Sequence, residues 1–175
     1  CFSRFFRWTF ASAGCAAAAR GAAAETMNSF RVMAQPRKLS YSKMVYTIER
    51  RITPEEYIAL LNSSGLGERR PVQDSSAIAR MLEHANLLAT CWDGETLAGA
   101  ARCFTDFAYV TYCSDLAVRA EYQRQGVGKE LLRTVLRAAP CRIVLLAAPK
   151  AVDYYPRIGF TRHPSAWTIL PGELR

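Results

Sequence analysis

A chain of 175 residues, half of them hydrophobic, is long enough for one globular domain and a tail, and no apolar run approaches the ~18 residues of a membrane span. The net charge of +8 is concentrated at one end: residues 1–43 hold seven Lys/Arg and one acid (+6), whereas residues 44–175 hold sixteen bases and fourteen acids (+2). That distribution gives the main domain no charge case for binding nucleic acid, and six cysteines without C-x-x-C or zinc spacing read as reduced, buried thiols with no metal site.

Residues 1–43 are rich in alanine, arginine and serine, the composition of an organellar transit peptide. A spurious extension, with Met27, Met33 or Met44 as the true start, is the alternative. Either way the segment is expected to be poorly ordered and outside the fold. The domain is placed at 44–175.

VYTIERRI (45–52) has strand composition. Thr53-Pro54-Glu55-Glu56 then supplies an N-cap, a proline at the first helical position and a capping-box glutamate, so a helix follows and stops at SSGLG (63–67). Asp74 or Ser75 caps a second helix, with Ile78, Met81 and Leu82 on one face. NLLATCW (86–92) and ETLAGAARCF (95–104) flank Asp93-Gly94, a strong hairpin signal. YVTYCSDLAV (109–118) is a further strand, RAEYQRQ (119–125) a loop, and GVGKELLRTVLRAA (126–139) a helix ended by Pro140. CRIVLLAA (141–148) is almost continuously apolar and predicts a central strand buried on both faces. A short helix at 151–158, closed by Gly159, and a strand or hairpin at 160–170 complete the chain. The order β α α β β β α β α β implies an α+β domain with a mixed, mostly antiparallel sheet. The helix between 109–118 and 141–148 makes one parallel β-α-β crossover, and helices cover both faces.

The sequence QRQGVGK (123–129) leads into a helix, where unpaired N–H groups and the helix dipole favour an anion. A dinucleotide fingerprint fails because Leu131 stands at the third glycine position. A P-loop fails because Gln123 replaces its first glycine and Glu130 its magnesium-binding hydroxyl. What remains is Gln-x-x-Gly-x-Gly, able to approach a diphosphate with its backbone and needing no metal. An ordinary helix start whose glycines serve a turn stays open on the loop alone.

SDLAVRAEYQRQGVGKELL, followed by DYYPRIGF, resembles the GNAT family of N-acetyltransferases over residues 44–170. A further, moderate similarity is to its plant plastid and bacterial small-enzyme branch, which includes serotonin N-acetyltransferase. The resemblance implies a GNAT-type fold and transfer of acetyl from acetyl-CoA to a primary amine by direct attack. The acceptor would be a small arylalkylamine or a protein lysine or N-terminal amine. It implies no metal, admits a homodimer, and places the protein in a plastid, with the mitochondrion as the alternative, if the leader is genuine and in the cytoplasm otherwise. Backbone groups of Leu116, Ala117 and Val118 would hold pantetheine; Gln123, Arg124, Gln125, Gly126, Val127, Gly128 and Lys129 would receive the diphosphate. Tyr155 would be the general acid, also touching the cofactor, and the Leu116 N–H the oxyanion donor. Asp115 is a candidate base, with a carboxylate merely satisfied by an arginine or backbone donors as the competing role. Ala148 stands where the family often has an asparagine that contacts pantetheine. The aromatic stretch Phe104, Phe107, Tyr109 and Tyr112 is a candidate acceptor wall or simply core. A non-catalytic acyl-CoA-binding module on the same fold is the alternative function.

Overall fold

The computed structural model describes residues 44–173, so the leader and its expected disorder lie outside the described residues. Among them, five strands form one sheet in the order β1 (Val45–Thr47), β2 (Leu87–Asp93), β3 (Thr96–Thr105), β4 (Val110–Val118), β5 (Arg142–Val144). The first three pairings are antiparallel and β4–β5 is parallel, as the crossover through a helix requires.

The helices start where local chemistry predicts. Thr53 accepts from the Glu56 N–H while Glu56 returns a bond to the Thr53 N–H, closing the capping box of α1 (Pro54–Ser64). Gly65, at φ 79°, ends it in the left-handed conformation glycine adopts freely. Asp74, not Ser75, caps α2 (Ser75–Glu83) through the Ala77 N–H. The third helix, α3, spans Val127–Ala138.

Two hydrophobic clusters lie on opposite faces of the sheet. One joins Leu131, Leu132 and Val135 of α3 to Ala89, Cys91 and Cys103. The other joins Tyr57, Leu60 and Leu61 of α1 and Ile78 of α2 to Trp92, Leu97 and Ala117. Helices on both faces of a mixed sheet are the architecture expected from the sequence. The cysteines Cys91, Cys103 and Cys113 are free and buried.

The C-terminal third departs from expectation. The strand anticipated at 141–148 shrinks to Arg142–Val144 at the sheet edge, alternately exposed and half-buried. Continuous apolarity here marks a segment that leaves the sheet to line a cavity. The helix at 151–158 is a 3₁₀ turn, Pro149–Ala151, followed by the single turn α4 (Tyr154–Arg157). Residues 160–170 form no strand, and Trp167 is 91 % exposed. Pro164 removes a ladder donor in the middle of that segment.

Candidate active site at the β4–β5 divergence

The strand β4 carries the geometry of the site. Its register with β3 shifts between Arg102↔Asp115 and Cys103↔Cys113, so Ser114 is an extra residue, a β-bulge. In a regular strand Cys113 and Asp115 would share a face. Here Cys113 packs in the α3 cluster, while the Asp115 carboxylate meets Tyr57 of α1. Pairing with β5 ends one residue before Cys113, at Tyr112↔Val144. From Cys113 to Val118 the β5-side edge of β4 therefore carries no strand among the described residues. The bulge and the end of pairing coincide, and together they open a wedge.

A cavity of about 60 Å³ occupies the wedge, walled by Leu66, Arg70, Ser114, Leu116, Leu145 and Tyr155 among others. Tyr155 stands on α4, with its ring edge-on to Phe160 at 5.4 Å and to Tyr154 at 5.3 Å. Burial, assisted by neighbouring Cys113 and Tyr154, pushes its phenol up to about 12. The hydroxyl thus stays protonated, and a donor, throughout the physiological range.

The other end of the wedge is the start of α3. Unlike α1 and α2, α3 has no side-chain cap; Gly126, at φ 85°, occupies the cap position. The N–H groups of its first turn are left for another partner. The preceding loop is exposed from Gln123 to Gly126, and Arg124 also adopts a left-handed φ of 60°. Gly128 leaves its space to neighbours: a Cβ there would come within 3.1 Å of the Tyr154 hydroxyl, 3.7 Å of Val118 Cγ2 and 3.8 Å of Leu116 Cδ2.

The structure thus brings Leu116, Val118, Gly128, Tyr154 and Tyr155 around one groove. Ala117 points the other way, into the α1 cluster. Gln123 has committed its side-chain amide to the carbonyls of Val118, at 2.9 Å, and Ser64, at 3.4 Å, so it braces the loop against β4. Gln125 likewise ties back to the Glu121 carbonyl. Lys129 is exposed at the helix start.

Asp115 is fully engaged. Arg102 Nε donates to Oδ2 at 2.5 Å, Tyr57 Oη to the same oxygen at 2.8 Å, and Arg70 to Oδ1 at 2.5 Å. The guanidiniums extend the network onto the bulge: Arg70 Nη2 reaches the Ser114 carbonyl and Arg102 Nη2 the Ser114 hydroxyl. Burial opposes the charge on Arg102, but Asp115 and Tyr57 together more than offset it and hold the guanidinium protonated. Burial, with the Asp115 charge beside it, drives the Tyr57 phenol well above its ordinary value. Sequence reading missed Tyr57, Arg70 and Arg102. Arg102 left a trace, as a lone arginine inside the apolar run LAGAARCF; Tyr57 and Arg70 left none.

The acetyltransferase (GNAT) family pattern matches residues 44–160. The chain belongs to the GNAT acetyltransferase family. An uncharacterized N-acetyltransferase, ycf52-like, of Prochlorococcus marinus is 33% identical over 60% of this chain and 61% of its own length. The GCN5-related N-acetyltransferase 2, chloroplastic, of Arabidopsis thaliana is 39% identical over 39% of this chain and 28% of its own. The chain thus spans about three-fifths or less of these curated relatives. In fold it resembles a GNAT-family acetyltransferase of Streptococcus pneumoniae, with TM-score 0.56 and 20% identity over 72% of this chain and 98% of that one. A Trypanosoma brucei acetyltransferase gives TM-score 0.52 and 21% identity over 72% and 98% of the two chains.

Proposed function

We propose that this GNAT domain is an acetyl-CoA-dependent N-acetyltransferase acting on a primary amine. One observation carries the reading: the uncapped, glycine-bearing start of α3 and the Tyr155 cavity lie at opposite ends of a single wedge opened by the Ser114 bulge. Donors for a diphosphate at one end and a protonated phenol at the other suit a long thioester donor lying along β4. Acetyl-CoA supplies an acetyl group already activated as a thioester.

The N–H groups of Val127, Gly128 and Lys129, with the loop backbone from Arg124 to Gly126, would hold the diphosphate through hydrogen bonds and the helix dipole. The free edge of β4 from Leu116 to Val118 would hold pantetheine like an added strand. The Leu116 N–H is our candidate to stabilise negative charge developing on the carbonyl oxygen. Tyr155 would give its proton to the departing sulfur, a contribution of roughly 10²–10⁴-fold. Asp115 receives a different role from the base first considered. Its oxygens already accept from two arginines and a tyrosine, so it holds the bulge in place, and water takes the proton from the amine. The resemblance supports two acceptor classes, an arylalkylamine and a protein amine. The chloroplastic Arabidopsis relative supports a plastid location.

Isothermal calorimetry of the full chain with acetyl-CoA, followed by thiol release on adding amines, tests the reading. Saturable binding with turnover is expected. Tyr155→Phe should lower kcat by about 10²-fold while acetyl-CoA affinity holds. No binding overturns the proposal, and binding without turnover on any amine favours a non-catalytic acyl-CoA module.

A further inference from the structure

Among the described residues, the charged side chains lining the Tyr155 cavity are Arg69 and Arg70, and no carboxylate lines it. Arg70 is held rigidly, with donors on Asp115, on the Ser114 carbonyl at 2.9 Å and on the Arg69 carbonyl at 2.7 Å. Its side chain keeps 21% exposure. Asp115 is shared with Arg102, so two guanidiniums face one carboxylate and the cluster keeps a positive excess. Arg69 is exposed and its guanidinium takes part in no hydrogen bond or ion pair among the described residues. Glu68, its neighbour in the chain, is exposed and does not line the cavity.

These cations stand at the acyl end of the wedge. The cavity touches β4 at Cys113, Ser114 and Leu116, whereas the diphosphate donors begin at Val127 on α3. They are therefore placed to meet the acceptor. Their positive excess repels a bare alkylammonium and attracts an anion, and the forked donors of Arg69, which the Arg70 network leaves unused, match a carboxylate. A simple amine would leave Arg69 with water as its partner, and the apolar wall of Leu66 and Leu145 offers it nothing charged.

We infer that the acceptor amine carries a carboxylate close to the nitrogen, and that Arg69, backed by the fixed Arg70, is the residue that selects it. The inference rests on the acetyl-transfer reading above. The carboxylate is either the α-carboxylate of a free amino acid or the side chain of an acidic peptide N-terminus.

The test uses the full chain, acetyl-CoA and matched acceptors: phenylalanine against phenylalaninamide and phenethylamine, and a peptide beginning with Asp against one beginning with Asn. The carboxylated member of one set should show kcat/KM about tenfold or more above its partner, as a charge-assisted contact implies; whichever set does so names the source. Arg69→Gln should erase that preference, leave the uncharged partner within about twofold, and leave acetyl-CoA affinity by calorimetry unchanged; Arg69→Lys should restore part of it. Equal turnover within both sets, an equal loss for both members in Arg69→Gln, or weakened acetyl-CoA binding in that variant would overturn the inference. Absent acetyl-CoA binding by the unmodified chain would instead remove the transfer reading beneath it.

Discussion

Arg124 is a non-glycine residue with a left-handed φ of 60°, in the exposed loop before α3. L-residues avoid this region because Cβ crowds the carbonyl, at a cost of about 1–2 kcal/mol. Glycine carries no such penalty, although it loses more chain entropy on folding. Arg124→Gly should therefore stabilise the domain by a few tenths to about 1 kcal/mol, read as a higher urea midpoint at unchanged m-value. If the Arg124 side chain helps hold a diphosphate, the same variant weakens acetyl-CoA binding, so the two effects separate backbone from side chain. Tyr155 is the contrasting residue: its backbone is ordinary, and in the proposed reaction it would act through a half-buried hydroxyl that stays protonated.

At the scale of elements, α3 and β4 act as one device. The helix begins without a side-chain cap, and Gly128 in its first turn faces Leu116, Val118 and Tyr154 across the groove. A Cβ alone would sit 3.1 Å from the Tyr154 hydroxyl, tight but with a side chain that can yield. A β-branched residue would fill the groove itself. Gly128→Val should leave the melting temperature within a few degrees and weaken acetyl-CoA binding by about 10²-fold, as lost approach to a charged group implies. Calorimetry with the folded variant checks both halves. Much of this was legible in the sequence, since Gly126, Gly128 and the DYYPRIGF segment are local signals and local signals survive without tertiary context. The bulge was not. Nothing in YVTYCSDLAV marks Ser114 as extra, because a bulge is a relation between two strands. Nor could the run from 141 to 148 reveal that apolar residues past Val144 would leave the sheet.

At the scale of the whole molecule, one carboxylate ties together three parts of the fold. Asp115 on β4 is bonded to Tyr57 on α1, to Arg102 on β3 and to Arg70 in the connection to α2. The Asp115 side chain is fully buried and that of Arg102 is 5% exposed. Removing one partner of a buried pair leaves the other charge uncompensated, at about 3–5 kcal/mol. Asp115→Asn should cost that much in urea denaturation and, by loosening the bulge, lower acetyl transfer as well. A loss of transfer with stability intact would instead make Asp115 a participant in the chemistry. The sequence offered Asp115 two roles, a proton acceptor or a carboxylate satisfied by an arginine or backbone donors, without naming its partners. The partners that decide for the second became visible only once side chains far apart in sequence converged on it.

The extra residue in β4 also sets how this domain can evolve. A strand presents its side chains with a parity of two, and Ser114 is a single phase slip in that count. Downstream of it, Asp115 and Ala117 face α1 while Leu116 and Val118 face the groove. Losing or adding one residue here would exchange those sets, driving a carboxylate toward the α3 core and stripping the groove of its wall. Substitution at Ser114 keeps the parity and costs the hydroxyl that accepts from Arg102, whereas a change of length reverses the parity itself. The exposed 123–126 loop, a few residues on, has no such parity to keep. Within one short stretch of chain, variation in letters and variation in length are under different rules.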